Sequence, residues 1–136
     1  MKIAVVYWSG TGNTEAMAEA LADGARETGA EVTVVTSDDF SSVDGYDAIA
    51  FGCSAMGSEE LEESSFEPMF ASVEDSLGDK KVALFGSYGW GDGEWMRNWE
   101  ERVTGKVASL VGTYICNDAP ADSDKDELKA LGKKLA

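Results

Sequence analysis

Ser9-Gly10-Thr11-Gly12-Asn13-Thr14 sets three hydroxyl side chains, an amide and two glycines directly after an apolar run, Ile3-Ala4-Val5-Val6-Tyr7, and directly before a helical pattern. A helix that starts where a strand ends offers unpaired N–H groups and a positive dipole end, and glycines let the backbone approach an anion closely. The loop has no Lys or Arg. It suits a phosphate held by hydroxyls and amides, not a triphosphate with developing transition-state charge. A Walker A loop would need Gly-Lys-Ser/Thr where Gly12-Asn13-Thr14 stands. A dinucleotide fingerprint would need a third glycine where Glu15 stands, and that carboxylate would repel a pyrophosphate. The plain alternative is a glycine-rich turn that only caps the helix.

Other reactive types are scarce. There is no histidine, which removes the usual general base, the Ser-His-Asp triad and most zinc sites. Gly86-Ser87-Tyr88-Gly89 does not have the G-x-S-x-G spacing of a nucleophile elbow. Cys53 and Cys116 form no C-x-x-C pair and are too few for an iron–sulfur cluster, so both read as small buried residues without a disulfide.

The elements that must position these residues alternate between strand and helix, the pattern of a parallel sheet covered on both faces. Strands are expected at Lys2–Tyr7, Glu31–Thr36, Ala48–Cys53, Lys81–Gly86 and Val107–Cys116. Helices are expected at Asn13 to about Thr28, Ser65–Leu77, Glu94–Val103 and from Ser123 to near the end. The fold class is α/β, a three-layer sandwich on a five-stranded parallel sheet. Ligands in such sheets bind beyond the carboxyl ends of the strands, where the strand order reverses. Loops with unusual chemistry leave those ends at Ser9–Thr14, Ser54–Glu59 and Ser87–Gly93; in the order 2-1-3-4-5 they are neighbours.

At 136 residues the chain reads as a single domain, 1–136, with no repeat, linker or low-complexity tract. No apolar run approaches a membrane span, and residues 1–8 lack the features of a signal peptide, so the chain reads as cytoplasmic. Twenty-six acids against 11 bases give a net charge of −15, which repels nucleic acid and anionic lipid and favours basic partners. Glu60, Glu62 and Glu63 read mostly as solvated surface. Trp95 and Trp99, one helical turn apart, read as packing. Trp8 and Tyr88 read either as packing or as part of the site.

With these three motifs in this order, Ser9–Thr14, Cys53–Glu59 and Gly86–Gly93, the chain resembles a flavodoxin, specifically the short-chain type of anaerobic bacteria. The 2-1-3-4-5 order, with FMN at the β1/β3 switch point, is known for that family. The resemblance implies that Ser9, Gly10, Thr11, Gly12, Asn13 and Thr14 hold the FMN phosphate, with Ser54 and Ser87 adding hydroxyls. Trp90 would stack on one face of the flavin, in a loop with Tyr88, Gly89 and Gly91. Met56 would press on the other face, in a turn with Ala55, Gly57, Ser58 and Glu59. Gly57 would let that turn take either of two backbone orientations, Glu59 would accept from the flavin N3–H, and Asn117 would touch the ribityl chain or ring. The implied function is a low-potential one-electron carrier, cycling mainly between semiquinone and hydroquinone. It would shuttle electrons between redox enzymes of the ferredoxin-using kind through their basic docking faces, as a monomer with no nucleic acid or membrane partner. The alternative on the same fold is an FMN-dependent NAD(P)H quinone reductase.

Overall fold

The computed structural model describes residues 1–56, 60–107 and 109–136. Its elements follow in the order β1 (Lys2–Trp8), α1 (Asn13–Arg26), β2 (Glu31–Thr36), β3 (Ala48–Cys53), α2 (Phe66–Val73), β4 (Lys81–Tyr88), α3 (Glu94–Val103), β5 (Ser109–Asn117) and α4 (Asp122–Leu135). All strands pair in parallel in the order β2-β1-β3-β4-β5.

Because strand side chains alternate between faces, each central strand contributes to both halves of the core. Ala4 and Val6, Ile49 and Phe51, and Val82 and Leu84 point to the α2/α3 layer. There they meet Phe66, Phe70, Trp95 and Trp99, whose rings pack largely edge to face. Ile3 and Val5, Ala48 and Ala50, and Ala83 and Phe85 point to the α1/α4 layer. Three alanines in that patch leave room for helices that sit close to the sheet and to each other.

The crossing of α1 and α4 is tight enough to require glycine. A Cβ at Gly24 would lie 2.5 Å from the Lys129 Cα, and one at Gly132 would lie 2.9 Å from the Ala25 backbone nitrogen. Across the other layer, Arg102 of α3 clamps α2 at both of its ends. Its guanidinium donates to Glu67 at 2.6 and 2.8 Å and to Glu74 at 2.9 and 3.0 Å, and it lies 5.0 Å from the centre of the Phe70 ring.

Several boundaries differ from expectation. β4 runs two residues further, because Ser87 and Tyr88 pair with Cys116 and Asn117. They therefore sit on a strand, and Asn117 belongs to β5 instead of following it. The fifth strand begins at Ser109, with Val107 in an isolated bridge to Thr104. The second helix is shorter, ending at Val73 in a 3-10 turn, Glu74–Ser76, whose first carboxylate is drawn to Arg102. Cys53 and Cys116 are buried free thiols, as expected, and burial pushes them up to about 12 and about 11. Among the described residues no helix is long and apolar enough to cross a membrane.

Candidate functional site

β1, β3, β4 and β5 all end on one side of the sheet, and their exits surround a cleft of about 280 Å³. Gly10, Thr11 and Asn13 line it from the first loop, and Ser54, Ala55 and Met56 from the third strand's exit. Ser87, Tyr88 and Gly89 close the β4 side, with Trp8 and Asp118 completing the wall. No Lys or Arg is among these residues. Another cleft of similar volume, lined by Lys2, Glu31, Thr33 and Asp44, lies at the opposite ends of the strands and has no motif around it.

The phosphate-type loop is shaped by its own turn. Ser9 Oγ accepts the Gly12 N–H at 3.0 Å, and Gly12 takes a left-handed conformation, φ 92°, that a side chain would strain. Gly12 is the N-cap of α1, and no side chain caps that helix. The start of α1 thus keeps donors for a ligand. On the outer side, Tyr7 donates its hydroxyl to Glu15 at 2.9 Å, tying β1 to the first turn of α1. Burial and that carboxylate push the Tyr7 phenol up to about 12.

Behind the loop, a chain of hydroxyls joins four strand exits. Thr14 Oγ1 lies 2.7 Å from Ser54 Oγ and accepts the Ser87 N–H at 3.3 Å. Ser87 Oγ donates to the Asp118 carbonyl at 2.6 Å, and the Asp118 N–H donates to the Tyr88 carbonyl at 2.9 Å. Thr14 and Ser87 are buried, so these two hydroxyls brace the floor of the cleft.

Two aromatic residues carry different weights. Trp8 packs partly against the core, and its ring sits 3.1 Å from where a Gly10 Cβ would be, so any side chain at Gly10 would press on the indole. Trp90 is 60 % exposed, at the tip of the loop that follows β4. An indole left this open presents a broad flat face to solvent. Trp95 and Trp99 are core residues, as their helical spacing implied.

Of the residues singled out in the sequence, Gly10, Thr11, Asn13, Ser54, Ala55, Met56, Ser87, Tyr88 and Gly89 share the cleft wall. Ser9, Gly12 and Thr14 shape the loop behind it. Trp90 and Gly91 lie in the exposed loop after β4. Asn117 directs its amide to the Tyr88 carbonyl at 3.2 Å. Gly57, Ser58 and Glu59 lie outside the described residues. Glu62 departs from expectation: it is 7 % exposed, held by the N–H groups that open α2. Asp118, absent from the sequence reading, lines the cleft with φ 56°. Its only sequence signal was a pair of left-handed-tolerant residues, Asn117-Asp118, at a strand end.

Fold and site together define a protein of the doubly wound α/β class, with a ligand cleft at the switch point of its sheet walled by hydroxyls, an indole, a thioether and an uncapped helix start. The Flavodoxin family model matches residues 5–132. The chain is 47% identical over 135 residues to the flavodoxin of Clostridium beijerinckii, covering 97% of each. It is 47% identical over 136 residues to that of Megasphaera elsdenii, covering 98% of each. The solution structure of two-electron reduced Megasphaera elsdenii flavodoxin superposes with a TM-score of 0.89, covering 98% of this chain and 97% of that one. The chain belongs to the flavodoxin family, of the short-chain type. Its cofactor is FMN and its function is electron transfer, not turnover of a substrate.

Proposed function

We propose that residues 1–136 form one FMN-binding unit that works as a low-potential, monomeric, cytoplasmic carrier, docking to basic faces of redox enzymes. Bound FMN supplies two successive one-electron steps. The chain's part is to hold the nucleotide and set the energy of those steps.

In this reading the loop Ser9–Thr14 holds the phosphate through backbone N–H groups and the Ser9 and Thr11 hydroxyls, with Ser54 beside them. Trp90 covers the outer face of the ring and Met56 the inner. A thioether adapts well to an aromatic face. The turn containing Gly57, Ser58 and Glu59 meets the ring's polar edge, and Asn117 lies toward the ribityl chain.

The observation that carries the low potential is the cleft wall without Lys or Arg, inside a chain of net charge −15. Reduction adds negative charge near a phosphate, and no side chain of the wall offsets it. Like charges a few ångströms apart cost roughly 1–4 kcal/mol between water and an effective dielectric of 20. For a one-electron couple that is roughly 40–170 mV. The same charge excess steers the protein to cationic partners, and that attraction weakens with salt.

The test is a reductive titration of the FMN-loaded protein, followed by electron delivery to a cationic acceptor protein at two salt concentrations. A second couple well below that of free FMN, and delivery that slows with salt, are expected. A second couple at or above the free value would refute the proposal, as would salt-independent delivery. Rapid steady-state NAD(P)H oxidation with a quinone would instead identify a reductase.

A further inference from the structure

The loop that carries Trp90, from Gly89 to Gly93, has three glycines in five residues, and Gly91 and Gly93 take φ of 84° and 90°. Glycine-rich backbone has the most freedom to lose on ordering. Trp90 itself is open to solvent, so its ring does not pin the loop. Among the described residues, one side chain bonds to residues 89–92, and it is that of Arg97 in the first turn of α3. One guanidinium nitrogen donates to the Asp92 carbonyl at 2.9 Å and another to Asp92 Oδ1 at 3.0 Å.

Helix stability does not explain Arg97. The start of a helix is its positive end and disfavours a cation, and a side chain 60 % exposed has open solvent to extend into. Arg97 folds back across the helix start instead, with a guanidinium nitrogen 3.8 Å from where a Gly93 Cβ would be. A planar fork with one branch on backbone and one on carboxylate fixes direction as well as distance. The other foot of the loop is fixed as well: the Tyr88 carbonyl accepts from the Asp118 N–H at 2.9 Å and from the Asn117 amide at 3.2 Å. Between these two anchors only Gly89, Trp90 and Gly91 remain to be ordered. An exposed ion pair adds little to overall stability, but here its effect falls on that short stretch.

We propose that Arg97 is a positioning residue for nucleotide binding: by tying Asp92 to α3, it turns Gly89-Trp90-Gly91 into an arch with both feet fixed and so holds the indole ready to cover the flavin. The inference rests on the proposed stacking of Trp90.

The experiment is a fluorescence titration of the apoprotein with FMN for wild type, R97Q, W90A and the double variant, with visible circular dichroism of each complex. R97Q is expected to raise Kd about threefold, in the range an exposed ion pair supports, and to alter the flavin band. In the W90A background the same substitution should change Kd less than about 1.5-fold, because the indole it positions is gone. R97K keeps the charge but not the fork, and should follow R97Q. R26Q breaks an exposed pair at the far end of α1 and should leave Kd and the band unchanged. Should R97Q not fold, D92A, which removes the carboxylate branch, is read in the same way. Equal weakening by R97Q in both backgrounds would make Arg97 a counter-charge only, and an unchanged Kd would make its pair a surface contact only; either result overturns the proposal. W90A that binds FMN as tightly as wild type would overturn the stacking of Trp90 itself, and the inference with it.

Discussion

Gly24→Ala sets two well-characterised effects against each other, and the structure decides the sign. Replacing a glycine inside a helix by alanine favours folding by roughly 1 kcal/mol through propensity. At Gly24, however, the new methyl carbon would lie 2.5 Å from the Lys129 Cα and 2.6 Å from its carbonyl carbon, where ordinary contact begins at 3.4 Å. α4 would have to move by at least 0.9 Å, the difference between 3.4 and 2.5 Å, and the obstacle is backbone, which cannot swing aside. Such a shift loosens Leu21 and Ala25 from Leu128, Leu131 and Leu135, all buried in the same cluster. Overpacking of this kind costs roughly 1–3 kcal/mol, and a rigid neighbour puts it at the upper end. The net expectation is a loss of about 1–2 kcal/mol, or a fall in Tm of roughly 3–10 °C for a domain of this size. Apoprotein thermal melts followed by circular dichroism measure it. Gly132→Ala meets the same crossing from the other side, so the double variant should lose less than the sum of the singles. A G24A protein as stable as wild type, or more stable, would refute the close approach of the helices.

Trp90→Ala should weaken FMN binding roughly tenfold, since stacking contributes about 0.5–1.5 kcal/mol beyond burial of area; fluorescence titration of the apoprotein reads it, and an unchanged Kd removes the stacking role. Thr14→Val removes the contact with Ser54 and leaves the buried Ser87 N–H without its acceptor, so apoprotein stability should fall by roughly 1–3 kcal/mol in denaturant melts. The pH dependence follows from three carboxylates held below their ordinary values. They are Glu74 by Arg102, Asp124 by the Tyr114 hydroxyl, and Glu62 by backbone N–H groups that outweigh its burial. A depressed group stabilises above its unfolded pKa and loses that contribution as pH falls through its folded value. Apoprotein stability should therefore hold from neutrality to about pH 5 and drop below about pH 4. Stability that stays level down to pH 3 would contradict those bonds.

The elements were legible because their signals are local and strong. Ala48–Cys53 and Glu94–Val103 fall where periodicity put them, since a fully buried strand and a helix with two tryptophans one turn apart leave little ambiguity. What sequence missed depends on partners distant in the chain. Ser87 and Tyr88 read as loop because nothing nearby reveals that Cys116 and Asn117 will pair with them. Asp118 stayed invisible for a similar reason: its place at the cleft comes from the exit of β5 beside β4, not from its type. Glu62 is the exception: its donors, Ser64 to Phe66, are near in the chain, and it read as solvated because glutamate in an acidic run usually is. The site's first loop was the clearest part, because glycines and hydroxyls between a strand and a helix are readable without any distant partner.

The row of hydroxyls beneath the cleft has a consequence for how the protein loses and regains its nucleotide. Ser54, Thr14, Ser87 and Asp118 bond to one another, so the floor of the cleft is laced together by the chain's own groups. A floor bonded within itself presents a fixed surface to whatever settles on it, and that lowers the ordering cost of binding.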